Sequence, residues 1–243
     1  MSTILVIEHD PSDPLLRLGE WLTDAGATVE VRRPYAGDTV PEDTAAFDAV
    51  ISLGGEMGAH DDSAAPWLPA TRRLLARSVA ARTPTLGICL GAQLLAAAGG
   101  GIVTRGENGP ERGAYLTARR DAAEHDPLFR DLPLTPDVMH YHDDVVSVLP
   151  PGATLLLSSP GYPHQAWRQG DAAWAVQFHI ETGADDLRAW AASDDLPMTG
   201  RFGPMLDEAA ETMALVWRDV AVRFVALADA YAAARRDGAG GAP

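Results

Sequence analysis

The only cysteine of this 243-residue chain lies between two glycines, in the segment GICLG (87–91). An apolar stretch typical of a buried strand precedes Cys89, and a helical pattern follows it. A nucleophile on a tight strand-to-helix turn has this arrangement, because the turn exposes its side chain and the glycines make room for neighbouring backbone. The start of a helix also favours the thiolate over the thiol. We interpret Cys89 as a candidate nucleophile; the alternative is a buried cysteine that only packs.

A histidine and a glutamate stand two residues apart in the segment AWAVQFHIETG, where His179 closes an apolar run. Residues i and i+2 of an extended chain face the same side, so Glu181 can hold the imidazole of His179. A cysteine nucleophile needs such a base, commonly oriented by a carboxylate. The alternative for His179 is a structural histidine that only makes hydrogen bonds.

Backbone amides that could stabilise an oxyanion occur in two places. The amide of Leu90 follows Cys89 directly and points toward the atom that the sulfur would attack. A second amide can come from the glycine-rich segment SLGGEMGAHDD (52–62), because glycine lets the backbone turn an N–H toward a site without steric cost. An ordinary glycine turn is the alternative for this segment.

The elements that must position these residues alternate between strand and helix over the first 100 residues. Strands are predicted at 3–8, 28–33, 47–53 and 84–88, and helices at 13–27, about 66–82 and 90–100. Asp13 before Pro14 predicts the start of the first helix, and Gly26 predicts its end. This alternation predicts an α/β fold with a mostly parallel central sheet flanked by helices, with ligands at the carboxyl ends of the strands.

The remainder of the chain has a different pattern. Between Ile102 and Phe178, short β-type segments are separated by Pro, Gly and Asp, which predicts an added antiparallel portion. The C-terminal region is helical, and we expect one apolar stripe of it to pack on the sheet: Leu206, Ala210, Met213, Trp217, Val220, Phe224 and Ala228. With no linker or repeat, the sequence predicts one domain over 1–236 and a disordered tail over 237–243.

Composition excludes several classes of function. The net charge is −15, from 19 basic and 34 acidic residues, and such a surface repels nucleic acid and anionic membranes. The nearest basic segment (71–82) alternates arginines with apolar residues at helical spacing, which is typical of an exposed helix face. The N-terminus has no basic start and no long apolar stretch, and one cysteine excludes intrachain disulfides. We predict a cytoplasmic protein that binds neither nucleic acid nor membrane.

Three separated motifs resemble, in the same order, those of the class I (triad-type) glutamine amidotransferases: LGGEMGAHDD, LGICLGAQLLA and QFHIE. The resemblance implies a flavodoxin-like α/β glutaminase domain. It implies that Cys89 is the nucleophile, His179 the general base and acid, and Glu181 the orienting carboxylate. It also implies that the backbone amides of Gly55 and Leu90 form an oxyanion hole. Gln93 would contact the glutamine substrate.

Two residues depart from the family pattern. Glu56 stands where the oxyanion loop has a proline, and Ile180 replaces the proline between the histidine and the glutamate. A carboxylate beside a developing oxyanion would oppose it, so we expect Glu56 to point away. Ile180 loosens a local constraint and removes no catalytic group.

Two shorter segments, GPERG (109–113) and YHDD (141–144), resemble stand-alone GMP-synthase-like amidotransferases. This resemblance implies that Glu111, His142 and Asp144 lie beside the glutamine pocket. A solvated polar turn is an alternative, and so is a metal site formed by His140 and His142 with carboxylates. We expect no metal and no cofactor.

The predicted function is cleavage of the γ-carboxamide of glutamine through a γ-glutamyl thioester, with ammonia passed to a separate synthetase partner. No ATP-binding G-x-x-x-x-G-K-[ST] motif occurs in the sequence. One alternative is a stand-alone hydrolase of γ-glutamyl amides that uses water as acceptor. A non-catalytic binding module is disfavoured by the intact set of Cys89, His179 and Glu181. A related cysteine amidase or protease branch is disfavoured because Leu90, not histidine, follows the cysteine.

Overall fold

An eight-stranded sheet runs through the centre of the protein in the computed structural model, which describes residues 1–239. The strands are β1 Thr3–Ile7, β2 Thr28–Arg32, β3 Ala49–Ser52, β4 Thr85–Ile88, β5 Ile102–Arg105, β6 Glu111–Leu116, β7 Ala118–Arg119, β8 Asp137–His142, β9 Asp144–Val148, β10 Thr154–Ser158, β11 Ala166–Gln169 and β12 Ala173–Val176. The α-helices are α1 Leu16–Asp24, α2 Leu68–Ala80, α3 Leu90–Ala98, α4 Ala184–Asp194 and α5 Pro204–Ala239.

The strand order in this sheet is β2-β1-β3-β4-β12-β11-β10-β7. The first five strands are parallel, in the 2-1-3-4-5 order of flavodoxin-like folds, and the last three joins are antiparallel. Two further antiparallel pairs, β5–β9 and β6–β8, form separate two-stranded sheets. The predicted fold class is therefore confirmed, and its antiparallel portion is divided between the central sheet and these two pairs.

Helices cover both faces of the sheet because its central strands are apolar on both sides. Helices α1, α4 and α5 pack on one face, and α2 and α3 pack on the other. The predicted stripe of α5 contributes Trp217 and Phe224, which are almost completely buried. Burial of each such side chain stabilises the fold by roughly 1.5–3 kcal/mol.

Two predicted boundaries differ in the structure. Helix α1 begins at Leu16 rather than at residue 13, and no side chain caps it, because Asp13 turns toward the sheet edge. Residues 232–236 are alanines and arginines, which favour a helix, and helix α5 continues beyond them to Ala239, so residues 237–239 of the predicted tail are helical. Residues 240–243 lie outside the described residues.

Within residues 1–239, none of the helices combines the length and the apolar character needed to cross a membrane.

Candidate active site

Four loops meet at one edge of the sheet, because parallel strands all end on the same side. The loops after β1, β3, β4 and β12 carry Asp13, Gly55, Cys89 and His179, respectively. All four residues line one cavity of about 500 Å³. This is the edge at which doubly wound α/β sheets bind ligands.

Cys89 occupies a strained turn between β4 and α3. Its φ of 50° and ψ of −107° lie in a region that residues with side chains rarely adopt. A Cβ on Gly91 would lie 1.9 Å from the carbonyl oxygen of Ser52, and a Cβ on Gly87 would lie 2.6 Å from the carbonyl oxygen of Gly91. Both flanking positions therefore require glycine, as the interpretation of GICLG expects.

The imidazole of His179 lies between the sulfur of Cys89 and the carboxylate of Glu181. Its Nδ1 lies 2.6 Å from Oε1 of Glu181, and Cys89 is close enough for its charge to act on the ring. The second oxygen of Glu181 accepts the Ile180 amide at 2.8 Å. The ring of Trp190 packs on His179 with a centroid distance of 4.9 Å. The structure thus brings together all three residues that the sequence pattern singled out.

Opposite charges around His179 favour its protonated form. Burial by itself lowers the pKa of this imidazole, but the charges of Glu181, Cys89 and Asp13 raise the pKa well above 6.5. A protonated imidazole beside the sulfur stabilises a thiolate. The arrangement therefore places a positively charged imidazole beside the sulfur of Cys89.

Two residues that line the cavity beside Cys89 have backbone amides without an acceptor among the described residues. The neighbouring amides of Cys89 and Gly91 donate to the carbonyls of Val176 and Leu53. The amides of Gly55 and Leu90, in contrast, donate to no group among the described residues. Gly55 packs closely against Leu90, since a Cβ on it would lie 3.2 Å from the Cδ2 atom of that leucine. Both amides are thus available to a ligand. Glu56, next to Gly55, is exposed but is among the residues that line the cavity, so the structure does not show it turned away from the site as expected.

Three further predicted residues lie at the cavity wall, and one does not. Gln93, His142 and Asp144 line the cavity. The side-chain amide of Gln93 donates a hydrogen bond to the backbone carbonyl of Asp144 at 3.0 Å. Glu111 lies behind His142, outside the lining, with its Oε2 3.2 Å from Nε2 of that histidine. Glu111 therefore supports the wall and is not placed to touch a ligand in the cavity.

Glu111, His140 and His142 form a buried polar cluster, which excludes the solvated turn considered for this segment. Glu111 and His142 are directly paired across β6 and β8, and the i, i+2 spacing places His140 on the same side. Their ligating atoms lie within 4.8 Å of one another, so they are a set of residues that could hold a metal ion. The same arrangement is also explained by hydrogen bonds without a metal ion. The two histidines are bonded at 2.9 Å, and Gln165 donates to Glu111 at 3.1 Å.

Two buried residues at this edge were not identified from the sequence. Asp13, interpreted above only as a helix start, has its Oδ1 3.9 Å from Nδ1 of His179. His9 lies behind the loop that carries Gly55, where its Nε2 bonds Ser52 at 2.9 Å and its Nδ1 accepts the Trp67 indole N–H at 3.1 Å. Their partners are 43 or more residues away, so no local pattern could have indicated either contact.

His9 is expected to make the protein sensitive to acid. Burial lowers its pKa from 6.5 to about 3, so the folded state excludes a proton that the unfolded chain binds. Stability from this group is therefore complete above pH 6.5 and falls as the pH drops toward 3. Between about pH 7 and pH 5, the wild type should lose about 2 kcal/mol relative to His9→Gln, at about 1.4 kcal/mol per unit. Urea unfolding at both pH values measures this difference.

The exposed His125 provides the control for this prediction. The stability of His125→Gln relative to the wild type should change little over the same pH range. An equally small change for His9→Gln would contradict the prediction.

The fold and this sheet edge define a class: α/β proteins with a cysteine on a strand-to-helix turn beside a histidine–carboxylate pair. Residues 18–188 match the family model described as glutamine amidotransferase class-I. The chain belongs to the class I glutamine amidotransferase family.

The proteins that this chain resembles are described as glutamine amidotransferases or as glutamine-hydrolyzing enzymes. The glutamine amidotransferase-like protein YfeJ of Salmonella typhimurium is 32% identical over 167 residues, which cover 67% of this chain and 68% of that protein. A glutamine-hydrolyzing GMP synthase subunit from Thermococcus kodakarensis is 39% identical over 114 residues, 44% of this chain and 58% of that one. The crystal structure of a glutamine amidotransferase from Thermotoga maritima has a TM-score of 0.82 at 27% identity and covers 93% of this chain and 98% of its own.

Proposed function

We propose that this protein is a cysteine-dependent glutaminase that releases ammonia from the γ-carboxamide of glutamine for use by a separate synthetase. The observation that carries the proposal is the buried row of Cys89, His179 and Glu181 beside an open cavity with two amides that have no partner among the described residues. Family membership supports the same reaction class.

In the first half of the reaction, the Cys89 thiolate attacks the γ-carbonyl carbon of glutamine. A carbon–sulfur bond forms, and the carbonyl electron pair moves to oxygen, between the amides of Gly55 and Leu90. Each donor contributes roughly 2.7–4 kcal/mol in comparable sites. The His179 imidazolium then gives its proton to the nitrogen, the carbon–nitrogen bond breaks, and ammonia leaves a γ-glutamyl thioester.

In the second half, water hydrolyses the thioester. His179, now neutral, takes a proton from the attacking water, and the resulting tetrahedral oxyanion uses the same two amides. Collapse of this intermediate breaks the carbon–sulfur bond and restores the thiolate and the imidazolium. The product leaves as glutamate after its γ-carboxyl proton passes to solvent or to the released ammonia. Glu181 keeps the imidazole oriented and stabilises its positive charge through both halves.

The cavity wall has groups that suit the charged end of an amino acid. Arg112 lines the cavity, and its guanidinium lies 2.6 Å from Asp143, while Asp144 also lines the cavity. A glutamine molecule carries one carboxylate and one ammonium group, so both signs of charge are needed. We assign recognition of these groups to Arg112 and Asp144, with Gln93 beside the side-chain amide.

The relatives support a synthetase partner, since the Thermococcus kodakarensis protein is described as a subunit of GMP synthase. A second candidate function is hydrolysis of larger γ-glutamyl amides with water as acceptor. The cavity favours this candidate, because about 500 Å³ falls in the range of sites for ligands larger than one amino acid.

A glutamine-analogue diazo-ketone amino acid tests the proposed site. We expect mass spectrometry to find one adduct, on Cys89, and glutamine to protect against it. The homologous analogue that is one carbon shorter is the control and should label much more slowly, because its electrophile does not reach the sulfur. An adduct elsewhere, or labelling that glutamine does not slow, would contradict the proposal.

Product analysis separates the two candidate functions. Glutamate release from glutamine that is slow alone and rises when a synthetase from the native host is added supports ammonia transfer. Full activity on γ-glutamyl amines without any partner supports the hydrolase.

A further inference from the structure

Asp13 places a second carboxyl group against the candidate catalytic histidine. It is 5% exposed, its Oδ1 lies 3.9 Å from Nδ1 of His179, and the family match begins only at residue 18. Its other oxygen occupies the space above Gly54, where a Cβ would lie only 1.8 Å away. The glycine-rich loop therefore makes room for this carboxyl group.

Two carboxyl groups so close to one imidazole cannot both ionise freely. Glu181 accepts two hydrogen bonds, from the His179 ring and from the Ile180 amide, and so is the better site for the charge. Oδ1 of Asp13 has no hydrogen-bond partner among the described residues, and a carboxyl oxygen of Asp13 lies within 4.8 Å of a carboxyl oxygen of Glu181. The proton that relieves the repulsion between the two groups therefore belongs on Asp13, whose O–H can turn toward the Glu181 carboxylate.

We propose that Asp13 is a positioning residue of the catalytic cluster: its neutral carboxyl group holds Glu181 on His179, and its ionisation adds a second negative charge that weakens the imidazolium as an acid. The expected effect on kcat rests on the proposed function, whereas the position of Asp13 in the cluster does not.

The surrounding groups place this ionisation near neutral pH. Burial raises the pKa of Asp13, the charge of His179 lowers it, and Glu181 and Asp10 raise it, which brings it to about 7. The charged groups that face Asp13 are thus His179 and Glu181 from the loop after β12 and Asp10 from its own loop, with Cys89 beyond the imidazole.

Three variants test the proposal. Asp13→Ala removes the carboxyl group beside Glu181 and should lower kcat of glutamine hydrolysis roughly tenfold to a hundredfold, with KM within about twofold. Asp13→Asn keeps a donor of the same shape and should restore kcat to within about threefold of the wild type at pH 6. As the pH rises from about 6 to 8, the wild type should lose kcat relative to Asp13→Asn, because only the wild type gains the second charge. Glu20→Gln, an exposed carboxylate of helix α1 that does not act on Asp13, is the control and should keep the wild-type pH profile.

Two measurements need no substrate. The pH profile of Cys89 alkylation by iodoacetamide should show a step near pH 7 in the wild type that is lost in Asp13→Asn. The second measurement is the free energy of unfolding as a function of pH. The folded state holds a proton on Asp13 that the unfolded chain releases above pH 3.8. The stability of the wild type should therefore fall relative to Asp13→Asn between about pH 4 and 7, and the difference should stay constant above pH 7.

The outcomes distinguish this inference from the proposed function. If both substrate-free profiles differ as described but no glutamine is hydrolysed, Asp13 keeps its place in the cluster and the proposed function is wrong. If Asp13→Asn and the wild type give parallel alkylation and stability profiles, or if Asp13→Ala leaves kcat unchanged in an active enzyme, the inference about Asp13 is wrong.

Discussion

Replacing Cys89 by alanine is expected to lower glutamine hydrolysis by roughly 10⁴- to 10⁶-fold, as loss of the nucleophile does in comparable enzymes. The sulfur is placed to attack because it lies on the strained turn between β4 and α3, where Cys89 and His179 line the same cavity. Cys89→Ser should be nearly as inactive, since a hydroxyl is a far weaker nucleophile than a thiolate at neutral pH. Glutamate release under single-turnover and steady-state conditions measures the loss.

The controls for this prediction separate chemistry from folding. Cys89→Ala should keep the wild-type melting temperature to within a few degrees, because the smaller side chain removes only one sulfur atom from the cavity wall. Ser193→Ala changes another residue of the same wall and should keep activity within about twofold. Turnover by Cys89→Ala at a rate near that of the wild type would disprove the proposed mechanism.

Replacing Gly91 by alanine should have the largest effect on stability. Its new Cβ would lie 1.9 Å from the Ser52 carbonyl oxygen, and both partners are held by the backbone and cannot rotate away. Helix α3 must then move away from β3, which also stretches the 3.0 Å hydrogen bond from the Gly91 amide to the Leu53 carbonyl. We expect a loss of about 3 kcal/mol or more in the free energy of unfolding. The shift of Cys89 should lower activity of the folded fraction by roughly 10²-fold.

Gly19→Ala is the matched glycine-to-alanine control. Gly19 lies inside α1, where a Cβ would meet only side-chain atoms of Leu15, the nearest at 3.0 Å, and no backbone. Because alanine favours helix over glycine, this variant should change stability by no more than about 1 kcal/mol. Urea unfolding compares the two variants directly. A Gly91→Ala protein with near-wild-type stability and activity would show that the β4–α3 turn does not need close backbone contact.

Predictions from the sequence succeeded where the physical cause is local. The GICLG segment indicates a strained turn because the strand, the two glycines and the helix all lie within a few residues of Cys89. His179 and Glu181 were paired correctly because an extended chain places residues i and i+2 on one side. The alternation of strands and helices indicated the parallel sheet for the same reason, since periodicity is a property of each segment.

The sequence was less informative where one motif had two physical explanations. Asp13 before Pro14 is typical of a helix start, yet its carboxyl group faces His179 and the helix begins at Leu16. Glu111 was expected beside the ligand, but the pairing of β6 with β8 puts it behind His142. Neither outcome follows from composition or spacing, because each depends on how separate segments pack.

The amino-acid sequence by itself determined the strained turn at Cys89, the pairing of His179 with Glu181, and the mostly parallel sheet that carries them. Only the tertiary structure decided that the loops after β1, β3, β4 and β12 lie together at one edge of the sheet. The same packing buries His9 in its neutral form and places the carboxyl groups of Asp13 and Glu181 beside the imidazole of His179. The physical reason is range: backbone conformation depends on nearby residues, whereas desolvation and charge–charge interactions depend on whichever groups the folded chain brings into contact.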